Sequence, residues 1–174
     1  IDLKTEKIRY LDAPYKAVQK YYDVPDAMGF GYFRHDCVIK RNLLYCASFI
    51  TNLVLVLDLD CFQWKYVNVG NAKNGYSGIA WDGHFFWMAP RKERFVVRWD
   101  GEKSYEEFLI SKQERNDQPM YAGVVSMNKD VIFPAMRAKY TVKLHHGSIS
   151  DCELEEKKYT FYRICENGEI IYCE

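Results

Sequence analysis

Between residues 76 and 110 the chain alternates short apolar runs with polar breaks: "YSGIAW", then "DG", then "HFFWMAP", "RKE", "RFVVRW", "DGEK" and "SYEEFLI". β-Branched and aromatic runs of this length, bounded by Asp-Gly pairs and charged clusters, predict strands joined by tight turns rather than helices. Four strands follow in succession, over 76–81, 84–90, 94–99 and 104–110. The tripeptide Trp-Asp-Gly occurs twice, at Trp81-Asp82-Gly83 and Trp99-Asp100-Gly101. Asp-Gly between apolar stretches is the strongest short-range signal for a two-residue hairpin, with Asp82 and Gly83 both able to adopt positive φ. Asp82 and Asp100 are therefore assigned to turning the chain.

The same pattern returns at fixed distances, and self-similarity at 20 to 50 residues is the signature of stacked or radial repeats. A slide of 45 residues lays "YSGIAWDGHFFWMAPRKERFVVRW" over "YAGVVSMNKDVIFPAMRAKYTVKL", pairing Tyr76 with Tyr121, Gly78 with Gly123, Phe95 with Tyr140 and Val97 with Val142. A slide of 42 in the other direction pairs Trp87 with Tyr45, Val97 with Leu55 and Asp100 with Asp58. Further copies show as half units. Asn167-Gly168 lies 85 residues after Asp82-Gly83, "IRYLD" (8–12) resembles "VLVLD" (54–58), and "QKYYDV" (19–24) resembles "WKYVNV" (64–69).

The expected fold is therefore all-β: a β-propeller of four-stranded antiparallel blades, three complete and one composite or split. The units are a half blade over 1–27, blades over 28–70, 71–114 and 115–158, and a half blade over 159–174. A composite blade built from both chain ends removes the exposed strand edges that invite aggregation. The ring would have four blades, or the chain would be a piece of a larger ring, or copies would self-associate to complete one; a meander β-sandwich is the structural rival. The repeats resemble those of Kelch and NHL propellers, because each third strand ends in Asp or a polar turn and the fourth carries an aromatic such as Trp64. The double glycine of Kelch repeats does not occur, and the Gly-His of WD repeats does not recur from unit to unit.

Composition agrees with this reading. Of 174 residues 48% are hydrophobic and 16% aromatic, with 14 Tyr, 10 Phe and 4 Trp, which suits half-buried pleated surfaces. Lys plus Arg and Asp plus Glu number 24 each, so no global field argues for nucleic acid or an anionic membrane. No apolar run reaches the roughly 20 residues that span a bilayer. No signal peptide precedes Ile1, although the chain does not begin with Met, so a processed or excised chain is compatible with this start. Six cysteines without a CxxC spacing are expected to be mostly small buried residues in strands, which fits a reducing, cytoplasmic setting.

In a propeller the loops joining second to third strands, and blade to blade, share one face, where a rigid frame presents variable chemistry. The second-to-third loops are "FITN" (49–52), "PRKER" (90–94) and "AMRAK" (135–139), and the interblade segments add Asn71, Lys73, Asn74, Arg115 and Asn116. Arginine grips carboxylates and phosphates bidentately, so Arg91, Arg94 and Arg137 are the candidates for anion recognition, against a merely solvated rim. Tyr76 and Tyr121 begin equivalent inner strands and would either floor a stacking site or pack between blades. The expected function is a recognition scaffold for an acidic peptide, a protein or an anionic small molecule. The alternative is a propeller enzyme acting on a carbohydrate or related metabolite. Neither a cofactor nor a metal is expected: His35, His84, His145 and His146 show no ligand spacing, and His35 beside Asp36 points to the opposite side of a strand.

Overall fold

The structure, a computed structural model, describes residues 36–114 and 117–156, together with the backbone of 161–164 and 170–173. The expected half blade over 1–27, His35, Arg115 and Asn116 lie outside the described residues. Three four-stranded antiparallel sheets follow one another along the chain, each with its strands in sequence order. The first contains β1 (Cys37–Lys40), β2 (Leu43–Ala47), β3 (Leu53–Asp58) and β4 (Trp64–Asn68). The second contains β5 (Tyr76–Trp81), β6 (Phe86–Pro90), β7 (Phe95–Trp99) and β8 (Tyr105–Leu109). The third contains β9 (Val125–Met127), β10 (Asp130–Phe133), β11 (Tyr140–Leu144) and β12 (Cys152–Glu156), and a two-stranded hairpin, β13 (Phe161–Ile164) with β14 (Ile170–Cys173), comes last. No helix among the described residues is long and apolar enough to cross a membrane.

The sequence repeat is reproduced as hydrogen-bonded register. Tyr45 opposes Val56 in the first sheet and Trp87 opposes Arg98 in the second, each partner displaced by 42 residues. Phe86 opposes Trp99 and Val131 opposes Leu144, displaced by 45, and the Tyr76–Pro90 rung recurs as a bridge between Tyr121 and Ala135. Equivalent residues thus occupy equivalent rungs, which a face-packed sandwich does not require.

Alternation along each strand explains the packing, because successive side chains leave a strand on opposite faces. In β6, Phe86 and Met88 join the core shared with the first sheet, whereas Trp87 and Ala89 join the core shared with the third. β7 repeats the division, with Val97 and Trp99 on one side and Val96 on the other. The centre of the middle sheet is consequently buried on both faces, and all five residues of β6 are buried. Inner strands also approach closely: a Cβ on Gly78 would lie 3.1 Å from both the Gly123 Cα and the Val124 nitrogen. Glycine at 78 is required by this crowding of neighbouring main chains.

The Trp81-Asp82-Gly83 turn differs in detail from the expected one. Gly83 has φ of 103°, but Asp82 is not among the positive-φ residues, and the loop proper is Gly83–His84. Asp82 instead uses its side chain: Oδ1 accepts the His84 and Phe85 N–H groups, each at 2.7 Å, and Oδ2 accepts the Trp87 indole N–H at 2.6 Å. The acceptor competes locally for the backbone donors and shifts the turn by one residue. Arg41 and Asn128, which correspond to Gly83 in the neighbouring sheets, have φ of 57° and 51°. Asp100 caps the second turn, accepting the Glu102 N–H at 2.7 Å and the Ser104 N–H at 3.1 Å.

Candidate functional site

The loops between second and third strands and those between sheets are tied together by main-chain hydrogen bonds. The Tyr76 N–H donates to the Ser48 carbonyl at 2.8 Å and the Arg91 N–H to the Gly75 carbonyl at 3.0 Å. Met120 is the centre of the next connection. Its N–H donates to the Arg91 carbonyl at 2.6 Å, and its carbonyl accepts N–H groups from Met136, Arg137 and Ala138 at 2.8, 3.0 and 3.0 Å. One peptide segment therefore fixes the loops that carry Arg91 and Arg137 relative to each other. Arg94 is anchored through its carbonyl, which accepts the Ile110 N–H at 2.7 Å.

The three arginines occupy this loop face in two different states. Arg91 is half-buried; its Nη1 donates to the Phe49 carbonyl at 3.0 Å, and its guanidinium stacks 3.7 Å from the centre of the Phe49 ring. Arg91 thereby bridges the first and second sheets. Arg94 and Arg137 are exposed, and the contact of Arg94 Nη1 with the Gln113 carbonyl is long, at 3.5 Å. Lys73, Lys112 and Lys139 are also exposed in the loops of this face.

Tyr76 and Tyr121 have no exposed surface. The Tyr76 hydroxyl donates to the Val69 carbonyl, and burial, followed by the charges of Glu107 and Glu93, raises its pKa well above the usual phenol value. The Tyr121 hydroxyl accepts from Gln113 Nε2 at 3.2 Å; burial dominates its environment and its pKa is pushed up to about 12. Both rings pack between sheets, Tyr76 in the first core and Tyr121 in the second, where it meets Phe133 edge-on at 6.0 Å. They support the loop face from below and present no ring to it. Asn71 and Asn74 are occupied as well: Asn71 holds the Glu107 carboxylate through its N–H and side-chain amide at 2.5 and 3.1 Å, and Asn74 donates to Glu93 at 3.1 Å.

Gln113 is a structural residue that the sequence did not single out. It is 1% exposed, its Nε2 donates to the Tyr140 carbonyl at 2.5 Å, and its Oε1 accepts the Tyr140 N–H at 3.1 Å. The side-chain amide thus completes the end of β11 as another strand would. A glutamine within "KQERNDQP" carries no periodic signal that separates it from its solvated neighbours.

The opposite, turn face collects carboxylates and histidines. Asp58 Oδ1 accepts the Asp60 and Cys61 N–H groups at 2.8 and 3.1 Å, and these hydrogen bonds, that of Cys61 first, hold its carboxyl below the usual range. Asp130 accepts the His146 N–H at 3.1 Å and lies 3.6 Å from Lys143 Nζ and 3.5 Å from His145 Nδ1; the N–H bond leads these causes in lowering its pKa. His145 Nε2 is 3.2 Å from Glu153, and His84 follows the Gly83 turn, so the three described histidines lie on the turn face. Among the described residues no three His, Cys, Asp or Glu side chains are grouped so as to hold a metal ion. The cysteines depart from expectation: of the four described side chains only Cys46 is buried, whereas Cys37, Cys61 and Cys152 are exposed. Cys61 sits in a turn, and Cys37 and Cys152 lie at strand ends.

No family model matches the chain. No curated protein matches it either. Solved structures do match. A streptogramin B lyase superposes with a TM-score of 0.57 at 10% identity, over 77% of this chain and 52% of that one. A catalytically inactive virginiamycin B lyase from Staphylococcus aureus with quinupristin gives 0.59 at 10% identity, over 79% and 54%. The selenomethionine-substituted virginiamycin B lyase from the same organism gives 0.58 at 12% identity, over 78% and 53%. The chain spans about half the length of these lyases. The likeness is one of fold: an all-β propeller architecture of four-stranded antiparallel sheets.

Proposed function

We propose that the protein is a β-propeller recognition scaffold whose loop face binds an acidic peptide segment of a partner protein or a comparable anionic small ligand. The observation that carries this reading is the exposure of Arg94 and Arg137 on loops fixed by the Met120 peptide. A cationic side chain presented on a rigid frame loses little freedom when it engages a carboxylate. Arg91, stacked on Phe49, serves as the support between them. The Kelch- or NHL-like character of the blades belongs to the same proposal and rests on the sequence resemblance. So does completion of the β13–β14 hairpin into a further blade, by strands from 1–27 or by a second copy of the chain.

The test is titration of a fluorescent hexaglutamate peptide into the wild type and into an Arg94→Ala/Arg137→Ala variant at low ionic strength. The variant should bind about tenfold more weakly, the loss of about 1.4 kcal/mol expected for charge-assisted contacts, and added salt should weaken the wild type similarly. Equal affinity of the two proteins would remove these arginines from the reading.

The second reading is a propeller enzyme acting on a carbohydrate or related metabolite. Its support is the fold likeness to the lyases. It requires an acid and a base on the loop face, and the three described histidines lie on the other one. Turnover of a carbohydrate panel that survives Arg94→Ala/Arg137→Ala but is lost on replacing loop-face Glu93 or Glu114 would favour the enzyme over the scaffold.

A further inference from the structure

Cys37 and Cys46 are directly opposed on β1 and β2, with their sulfurs 2.8 Å apart. Directly opposed residues of an antiparallel pair have Cα atoms about 4.5 or 5.5 Å apart, and both spacings fall in the window that a disulfide spans. Ile79 and Met88 occupy the same rung of the second sheet, both buried in apolar surroundings. Packing at this rung is therefore satisfied by plain hydrocarbon and thioether groups, and the paired thiols of the first sheet add reactivity that packing does not need. Cys37 is exposed and Cys46 is buried, which separates the roles of the two sulfurs. The hydrogen bond from Cys46 holds the Cys37 thiol below its ordinary pKa against the opposing effects of burial and Asp36, while the same bond, followed by burial, raises that of Cys46. Cys152, by contrast, opposes Leu144 rather than a second thiol, and burial raises its pKa.

We propose that Cys37 and Cys46 form a reversible thiol–disulfide exchange site whose substrates are low-molecular-weight disulfides, with Cys37 as the attacking sulfur and Cys46 as the resolving one. The Cys37 thiolate attacks one sulfur of the small disulfide, forming a mixed disulfide and expelling one small thiolate, which takes up a proton. Cys46 then gives its proton to solvent, and its thiolate attacks the Cys37 sulfur. The second small thiolate leaves and is protonated in turn. The balance is one protein dithiol and one small disulfide converted to one protein disulfide and two small thiols, with the two electrons passing from the protein to the reagent. The product bond joins β1 to β2 across the first sheet.

The experiment incubates the full reduced chain with oxidised glutathione at neutral pH, blocks remaining thiols with iodoacetamide and maps the peptides by mass spectrometry. Cleavage after Lys40 and Phe49 separates Cys37, Cys46 and Cys61 into distinct peptides. The expected product is a Cys37–Cys46 linked pair that dithiothreitol reverses, with Cys37 reacting about tenfold faster than Cys152 because a lowered pKa gives it more thiolate. In a Cys46→Ser variant the glutathione should remain attached to Cys37, and in Cys37→Ser no adduct should form at Cys46. Because the wild-type map needs no variant to fold, it decides alone. Absence of the 37–46 link while glutathione accumulates on Cys37, or linkage of either residue to Cys61 or Cys152 instead, would overturn the proposal.

Discussion

At the turn face, Asp58, Asp82, Asp100 and Asp130 each accept at least one main-chain N–H, and Asp82 also receives the indole of the buried Trp87. At the loop face, Arg94 and Arg137 are exposed on loops held by main-chain bonds together with the Asn74–Glu93 and Arg91–Phe49 contacts. The two faces thus use charge differently. Short carboxylates close to the backbone are consumed in shaping the chain, whereas the long guanidinium groups of Arg94 and Arg137 are exposed on loops that other residues shape. A charged residue in a loop acquires its meaning from what its own backbone lacks, and sequence charge by itself does not separate the two cases.

The strongest way to break this contrast is Asp82→Ala. It removes the acceptor for two turn N–H groups and orphans the Trp87 N–H, so a loss of about 3 kcal/mol is expected, lowering Tm by roughly 8 °C in calorimetry. A loss below about 1 kcal/mol would show that Asp82 is as dispensable as an ordinary surface charge. Arg91→Ala probes the boundary between the classes, because its guanidinium is committed to Phe49; denaturant unfolding should report a loss of about 1.5 kcal/mol. Arg94→Ala and Arg137→Ala should each stay within about 0.5 kcal/mol of wild type in the same assay. The smallest effect concerns acid. The depressed pKa values of Asp58 and Asp130 mean that their contribution is fully present above pH of about 4, the unfolded value, and fades as pH falls through the folded ones. Asp130→Asn should therefore lower stability slightly near neutrality and flatten the acid limb of a stability–pH profile, so that variant and wild type converge as pH falls.

The strand order and the repeat were legible because both are periodic: hydrophobic alternation fixes strands, and copies at 42 and 45 residues fix the rungs. The observed β5 (Tyr76–Trp81) and β7 (Phe95–Trp99) lie within a residue of their expected ranges. What escaped was the direction and neighbourhood of single side chains. Whether an aromatic at the start of an inner strand faces a neighbouring sheet or an opening is decided by that neighbour, which pattern alone does not place, so the burial of Tyr76 and Tyr121 had two readings. Gln113 escaped because it replaces a strand partner from within a polar loop. The turn at Asp82 moved by one residue because a side-chain acceptor captured donors that a backbone turn would otherwise have used. Cysteine exposure was misjudged from its usual habit, which carries no information about which rung of a sheet lies nearest to water.

The two-sided burial of the middle sheet has a consequence for how this chain can change length. One residue added just before Trp87 would hand Trp87 to the space that now fits Met88, and Met88 to the space that fits Ala89, exchanging the contents of two differently shaped interiors at once. The connection over 110–120 is already longer than its counterpart over 69–75, yet the following rungs match their predecessors. Tolerance to insertions should therefore be sharply graded along the polypeptide, with growth confined to the connectors and the β6 segment fixed in length.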